Sequence, residues 1–279
     1  MHYRYVPLNI TRIRRYPVKS CRGEDLTKAV VEPWGLAGDR RWMVVSPDGS
    51  PLTARERPPL VLVTPSFDGT AMTLTAPGAP ALTVKVPDGN DLVPVNVGGY
   101  DLQAAPAGDE AASWFTQVAG EPIRLVYLDD PTRRRVNPDY SQDDDRVSFA
   151  DGYPLLLTSE ASLAALNALI EAGPHSGEAP LPMTRFRPNV VVAGSEAWAE
   201  DSWHRLRIGD LTFRVPKGCD RCVFTTIDPE TAAKGKEPLW TLARHRRWDG
   251  KVWFGVNLIP DDPAPDAVIR VGDPVVILS

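Results

Sequence analysis

Short runs in which apolar and polar side chains alternate, or β-branched residues cluster, recur at 43–46, 60–64, 72–75, 82–86 and 93–97. Successive side chains of a strand point to opposite faces, so a two-residue period marks a half-buried strand. PDGS, FDGT, APGAP and PDGN punctuate these runs, and such Gly-, Asp- and Pro-bearing tetrads favour tight turns. Closely spaced strands of this kind predict a small barrel or sandwich-like sheet. The period then changes. Over 109–119, Ala111, Ala112, Phe115 and Val118 form a helical stripe, with Asp109 placed to cap it and Gly120 to stop it.

The second half mixes the two periods. Residues 129–149 (DDPTRRRVNPDYSQDDDRVSF) turn polar and read as a long connecting loop near a domain junction. The carboxylates Asp143 to Asp145 lack metal-ligand spacing and read as a solvated turn. A buried strand at 154–157 precedes a helix capped by Thr158 or Ser159, with Leu163, Leu166, Leu169 and Ile170 inward and Gly173-Pro174 ending it. FRPNVVVAG and VFTTI read as strands, LRIGDLTFRV as a hairpin about Gly209-Asp210, and 237–247 as a helix with Pro238 in its first turn. IRVGDPVVIL closes the chain as a hairpin carrying Gly272-Asp273. The fold class expected is α+β and β-rich, a β-barrel-like unit over 1–126 followed by a barrel domain with a few helices over 127–279.

Composition narrows the picture. At 279 residues, two packed units are expected rather than one. A net charge of −5, from 31 basic and 36 acidic side chains, gives no support to nucleic-acid binding. The first twenty residues lack an apolar signal region, and nowhere do 18 apolar residues run together. Three cysteines are too few for a disulfide scaffold. A cytoplasmic protein without membrane contact is expected. Basic residues nonetheless cluster: Arg12, Arg14, Arg15, Lys19 and Arg22, then Arg40-Arg41, Arg55 with Arg57, and Arg133 to Arg135. These are solvated faces, or some of them converge on a small anion.

Cys219-Asp-Arg-Cys222 is the sharpest candidate for chemistry. A zinc knuckle needs a second ligand pair, and His2, His175, His204 and His245 are scattered without ligand spacing. A thioredoxin-type pair would open a helix, whereas β-branched VFTTI follows. Two buried thiols acting as small hydrophobes, or one thiolate binding a soft metal beside a structural partner, remain open on local spacing. The tryptophans read as core or pocket-rim aromatics, Asp228-Pro229 as a turn, and Asn257 as a candidate pocket residue.

Over about 10–278 the chain resembles a known family. KGCDRCVFTTIDPET, KEPLWTLARHRR, FGVNL and IRVGDPVVIL closely resemble the MOSC domain of molybdenum-cofactor sulfurases and amidoxime-reducing enzymes. YPVKSCRG, GLAGDRRWMVV and LTARERPPLVLV resemble the β-barrel module that precedes it, and LLLTSEASLAALN, RFRPNVVV and EAWAEDSWHRLRIGD fall between in family order. The resemblance is to the mitochondrial amidoxime-reducing component and its bacterial counterparts. It implies a molybdenum cofactor (Mo-molybdopterin) with Cys222 as metal ligand and catalytic residue, and Cys219 as a neighbour. Lys19, Ser20, Arg40 and Arg187 match positions that hold the pterin and its phosphate, while Asp220 and Arg221 line the same site. Gly152 and Tyr153 match cofactor contacts where the animal enzymes carry small hydroxyl residues, and Asp220 replaces a serine of close relatives.

The implied chemistry suits those residue types. Two dithiolene sulfurs and one thiolate make a sulfur-rich set for molybdenum, and Arg, Lys and Ser are phosphate donors. Arg221 and Lys217 are expected to favour the Cys222 thiolate. The activity implied is reduction of N-hydroxylated small molecules: amidoximes, hydroxylamines or N-hydroxylated bases. Three cysteines cannot ligate an iron–sulfur cluster that needs four, so electrons are expected from a separate ferredoxin, flavoprotein or cytochrome. The alternatives are a carrier of cofactor or of persulfide sulfur, and a metal-free CxxC redox protein.

Overall fold

Both ends of the sequence build the largest sheet. The computed structural model describes residues 7–279; the start of the N-terminal segment read for a signal region, His2 included, lies outside them. Asn9–Arg15 runs antiparallel to Val190–Ala193, which lies parallel to Leu155–Ser159, itself antiparallel to the long strand Lys251–Pro260. Leu211–Arg214, Arg205–Ile208 and Val275–Ile277 continue the same sheet.

The central strands are covered on both faces, which explains aliphatic runs with no polar alternation. Val190 and Val192 join Ile10, Ile13, Leu157 and Leu258 on one face. Val191 joins Leu166, Ile170, Phe186, Leu242 and Phe254 on the other, beneath helices α2 (Glu160–Glu171) and α3 (Leu239–His245). Helix α1 was passed earlier in the chain, at Asp109–Ala119, where Gly108 rather than Asp109 takes the N-cap position.

The N-terminal half carries two smaller antiparallel sheets. One holds Thr64–Phe67, Ala71–Ala76 and Ala79–Lys85; the other holds Trp42–Val45, Arg124–Tyr127, Tyr100–Pro106 and Val93–Val97. Trp42, Met72, Leu74, Trp114 and Phe115 fill the core against α1. The architecture is α+β, dominated by strands.

Four further expectations are corrected. Residues 60–64 do not open a strand: Pro58–Leu62 is a 3-10 turn and the strand starts at Thr64, because two prolines fix φ and remove donors. Val223–Thr226 is a 3-10 turn too, its Thr225 and Thr226 hydroxyls donating to the carbonyls of Cys222 and Val223 at 2.9 and 2.8 Å. Those bonds satisfy the turn locally and override threonine's strand preference. The closing hairpin is split: Val268–Arg270 pairs with Lys28–Glu32, whereas Val275–Ile277 pairs with Arg205–Ile208. Ile10 bonds both sides of the Gly272-Asp273 turn and wedges it open. Finally, the acidic triplet is not uniformly solvated. Asp143 and Asp144 are exposed, but Asp145 is buried and accepts two bonds from Arg214, at 2.6 and 3.0 Å.

Among the described residues no helix is long and apolar enough to cross a membrane, and no group of three His, Cys, Asp or Glu side chains could hold a metal ion.

Candidate functional site

A cavity of about 790 Å³ opens where loops from the two halves of the sequence meet. Lys19, Ser20, Arg40, Gly152, Tyr153, Arg187, Asp220, Arg221 and Cys222 all line it. Of the clustered basic residues at the N-terminus only Lys19 does. Arg14, Arg15 and Arg22 are spent on Asp25, Glu24 and Glu230.

Three lining residues carry backbone strain. Ser20, Arg40 and Arg187 hold left-handed φ values of 71°, 47° and 57°. Each such conformation costs on the order of 1–2 kcal/mol for a side-chain-bearing residue, and strain of this kind persists where surrounding structure enforces it. For Arg40 the enforcing hub is Asn189. Its Oδ1 accepts from Arg40 Nη1 at 3.1 Å and from the Leu156 amide at 3.2 Å, while its Nδ2 donates to Asp39 Oδ1 and the Arg14 carbonyl at 3.0 and 3.1 Å. Asp39 in turn grips Arg40 at 2.6 Å.

The wall is rich in cations. Lys19 donates to the Phe149 carbonyl at 2.8 Å and pairs with Asp151. Burial pulls the Lys19 ammonium below its usual range, with Asp151 opposing the shift, and Lys19 holds the Asp151 carboxyl below its own. Arg187 donates to the Cys21 carbonyl at 2.6 Å, and its other amino group, Nη2, is buried without a partner. Burial, and then repulsion from Arg40, lowers the Arg187 guanidinium to about 10. Arg55 and Arg221 each leave a buried Nε unpaired. The carboxylates on this wall, Glu56, Asp151 and Asp220, are outnumbered by basic side chains. A bound anion would satisfy both the charge and the orphaned donors.

The cysteine pair divides its roles. Cys222 is exposed to the cavity, with its carbonyl tied down by the Thr225 amide and hydroxyl. Cys219 is half-buried, and Arg221 Nη1 donates to its sulfur at 2.8 Å while Nη2 holds the Phe186 carbonyl at 2.7 Å. Burial pushes the Cys219 thiol up and Arg221 opposes the shift. Arg221 therefore serves Cys219, not Cys222 as expected, and Lys217 faces Asp220 at 3.8 Å.

Arg134 carried no individual signal in the sequence, whereas Asn257 was a candidate pocket residue, and both line the cavity. Arg134 sits in a run of three arginines, yet it alone is buried, donating to the Ala150 and Asp151 carbonyls at 2.5 and 3.0 Å and shaping the loop that presents Asp151. Asn257 lines the cavity and donates to the Gly218 carbonyl at 2.9 Å, holding the cysteine loop against the long strand.

Residues 8–122 match the MOSC N-terminal beta barrel domain and residues 144–276 the MOSC domain. The chain is 36% identical over 283 residues to mitochondrial amidoxime-reducing component 1 of Homo sapiens, covering 95% of this chain and 81% of that one. It is 36% identical over 291 residues to mitochondrial amidoxime reducing component 2 of Rattus norvegicus, covering 95% and 82%. This chain thus belongs to the MOSC-domain family of the amidoxime-reducing components.

Proposed function

We propose that the protein reduces N-hydroxylated small molecules with a molybdenum-pterin cofactor held in this cavity, taking its electrons from a separate donor protein. The observation that carries the reading is one cavity combining an exposed thiol with unpaired, buried guanidinium donors. Those residues fit the group: a sulfur donor for a soft metal and fixed cations for a phosphate. When bound, the cofactor would supply the two-electron centre, with Cys222 as the protein's sulfur donor to it.

The chain's own residues bind and orient. Lys19, Arg40 and Arg187 would hold the phosphate and pterin end, each in a backbone conformation or hydrogen-bond network that leaves little freedom. Ser20 and the Gly152-Tyr153 loop border the same end. Asp220 lines the same cavity, within 3.8 Å of Lys217 and 3.5 Å of Lys251, and would offer a polar contact to a substrate. The net change is loss of the N–OH oxygen as water, consuming two electrons and two protons.

Metal and pterin analysis of freshly isolated protein, together with benzamidoxime reduction after cofactor loading, tests the reading. Cys222→Ala is expected to abolish turnover while leaving the fold intact. Normal turnover by that variant would defeat the ligand role. A stable extra sulfur on Cys222 with no turnover by the loaded wild type would favour a sulfur carrier instead.

A further inference from the structure

Behind Arg187 and Phe224, which border both spaces, lies a second, smaller chamber of about 30 Å³. Its wall includes Arg14, Tyr16, Arg22, Gly23, Arg185 and Arg187. Five buried polar atoms on these side chains lack any partner: Arg14 Nε, Tyr16 Oη, Arg22 Nε, Arg185 Nε and Arg187 Nη2. Tyr16 is 1% exposed and Arg185 8%, so solvent does not complete their bonding. Only Arg187 is shared with the large cavity; the other four groups need an occupant of their own.

Charge points to what that occupant is. Arg14, Arg22 and Arg185 are each paired with a carboxylate, Asp25, Glu230 and Asp228, at 3.0, 3.0 and 3.1 Å. Arg187 pairs with no carboxylate among the described residues, and its guanidinium stacks on the Tyr16 ring at 4.2 Å. Among the described residues no side chain balances its charge, so an anion can approach Arg187 from the chamber as well as from the cofactor cavity. The orphaned guanidinium nitrogens can only donate. Thr184, Pro229 and Glu230 also line the space and can accept. One water oxygen, however, accepts only about two hydrogen bonds, fewer than the five orphaned donors, whereas an anion accepts from every side. The space exceeds the roughly 10–15 Å³ that a water needs and suits a halide better than a tetrahedral oxyanion. Glycine at 23 helps keep it open: a Cβ there would lie 2.6 Å from the Tyr16 ring and 2.9 Å from Arg14 Nε.

We propose that this chamber is a binding site for a halide-sized monovalent anion, chloride in solution, which fixes Arg187 from behind. The site is separate from the cofactor cavity, and its occupancy sets the position of a residue that borders that cavity.

Two measurements on the full, cofactor-loaded chain test this. Crystals soaked in bromide are expected to show an anomalous peak in the chamber. In solution, exchanging gluconate for chloride at constant ionic strength is expected to raise the unfolding midpoint by about 2–4 °C at roughly ten times the dissociation constant. Tyr16→Phe, which removes one donor and little volume, should lose most of that shift. Water-only density, or a bromide peak with no chloride-specific stabilisation, overturns the proposal.

Discussion

Arg187 shows how much one residue can be asked to do. It adopts a left-handed backbone, stacks on Tyr16, and carries a buried charge with an unpaired amino group. Arg187→Lys keeps the charge but loses the planar fork, and charge-assisted bonds of this type are worth roughly 1.5–3 kcal/mol each. Cofactor affinity, read by pterin release on dilution, is expected to fall by about 10- to 100-fold; unchanged retention would remove Arg187 from the binding set. Cys21 offers a pH test. Burial raises its thiol from an ordinary 9.0 to about 12. Between those values the unfolded chain binds fewer protons than the folded one, so this group's contribution is intact below pH 9 and is lost as pH climbs towards 12. Wild type should therefore lose stability relative to Cys21→Ala above pH 9, by up to about 1.4 kcal/mol per pH unit, in denaturant titrations. At this scale the sequence was partly legible. CxxC, PVKS and RFRPN stand out as words, but nothing in RRR tells which arginine turns inward.

Among the elements, the strand Lys251–Pro260 links packing to the site. Gly255 sits in it with φ of 76°, and a Cβ there would lie 2.7 Å from the Leu157 carbonyl and 2.8 Å from Thr158 Cγ2. Two residues on, Asn257 clasps the loop that carries Cys219, through its amide to Lys217 and its side chain to Gly218. Gly255→Ala is expected to cost about 1–3 kcal/mol, seen as a midpoint several degrees lower, and to loosen the cysteine loop. A variant as stable as wild type would show that the ladder bends freely there. Element type followed from pattern wherever the period was long, as in α1, α2 and the hairpin of Arg205–Ile208 with Leu211–Arg214. It failed at PPLVL and VFTT, where proline geometry or threonine hydroxyls satisfied a tight turn that apolar periodicity cannot report.

On the scale of the whole molecule, strand exchange between the ends of the sequence builds the cavity. Asn9–Arg15 covers the outer edge of Val190–Ala193, and Val268–Arg270 pairs with Lys28–Glu32. Residues 127–279 expressed alone would expose that edge, a template for aggregation. They are expected to lack a cooperative unfolding transition, and co-expression with 1–126 should restore one. A soluble, cooperatively folded fragment would show that the large sheet needs no help from the first strand.

The sequence by itself determined the β-rich class, the helices and the order of the motifs, because periodicity and turn chemistry act within a few residues. Through the family resemblance of PVKS, GDRRW, RFRPN and CDRC it also pointed to Lys19, Ser20, Arg40, Arg187 and Cys222, all of which line the cavity, but not to Arg134 or Asn189. Only the tertiary structure decided that strands from opposite ends share one sheet, that Arg221 attends Cys219, and that Asn189 locks Arg40. Those outcomes depend on contacts between residues far apart in the chain, whose geometry and burial no local pattern encodes.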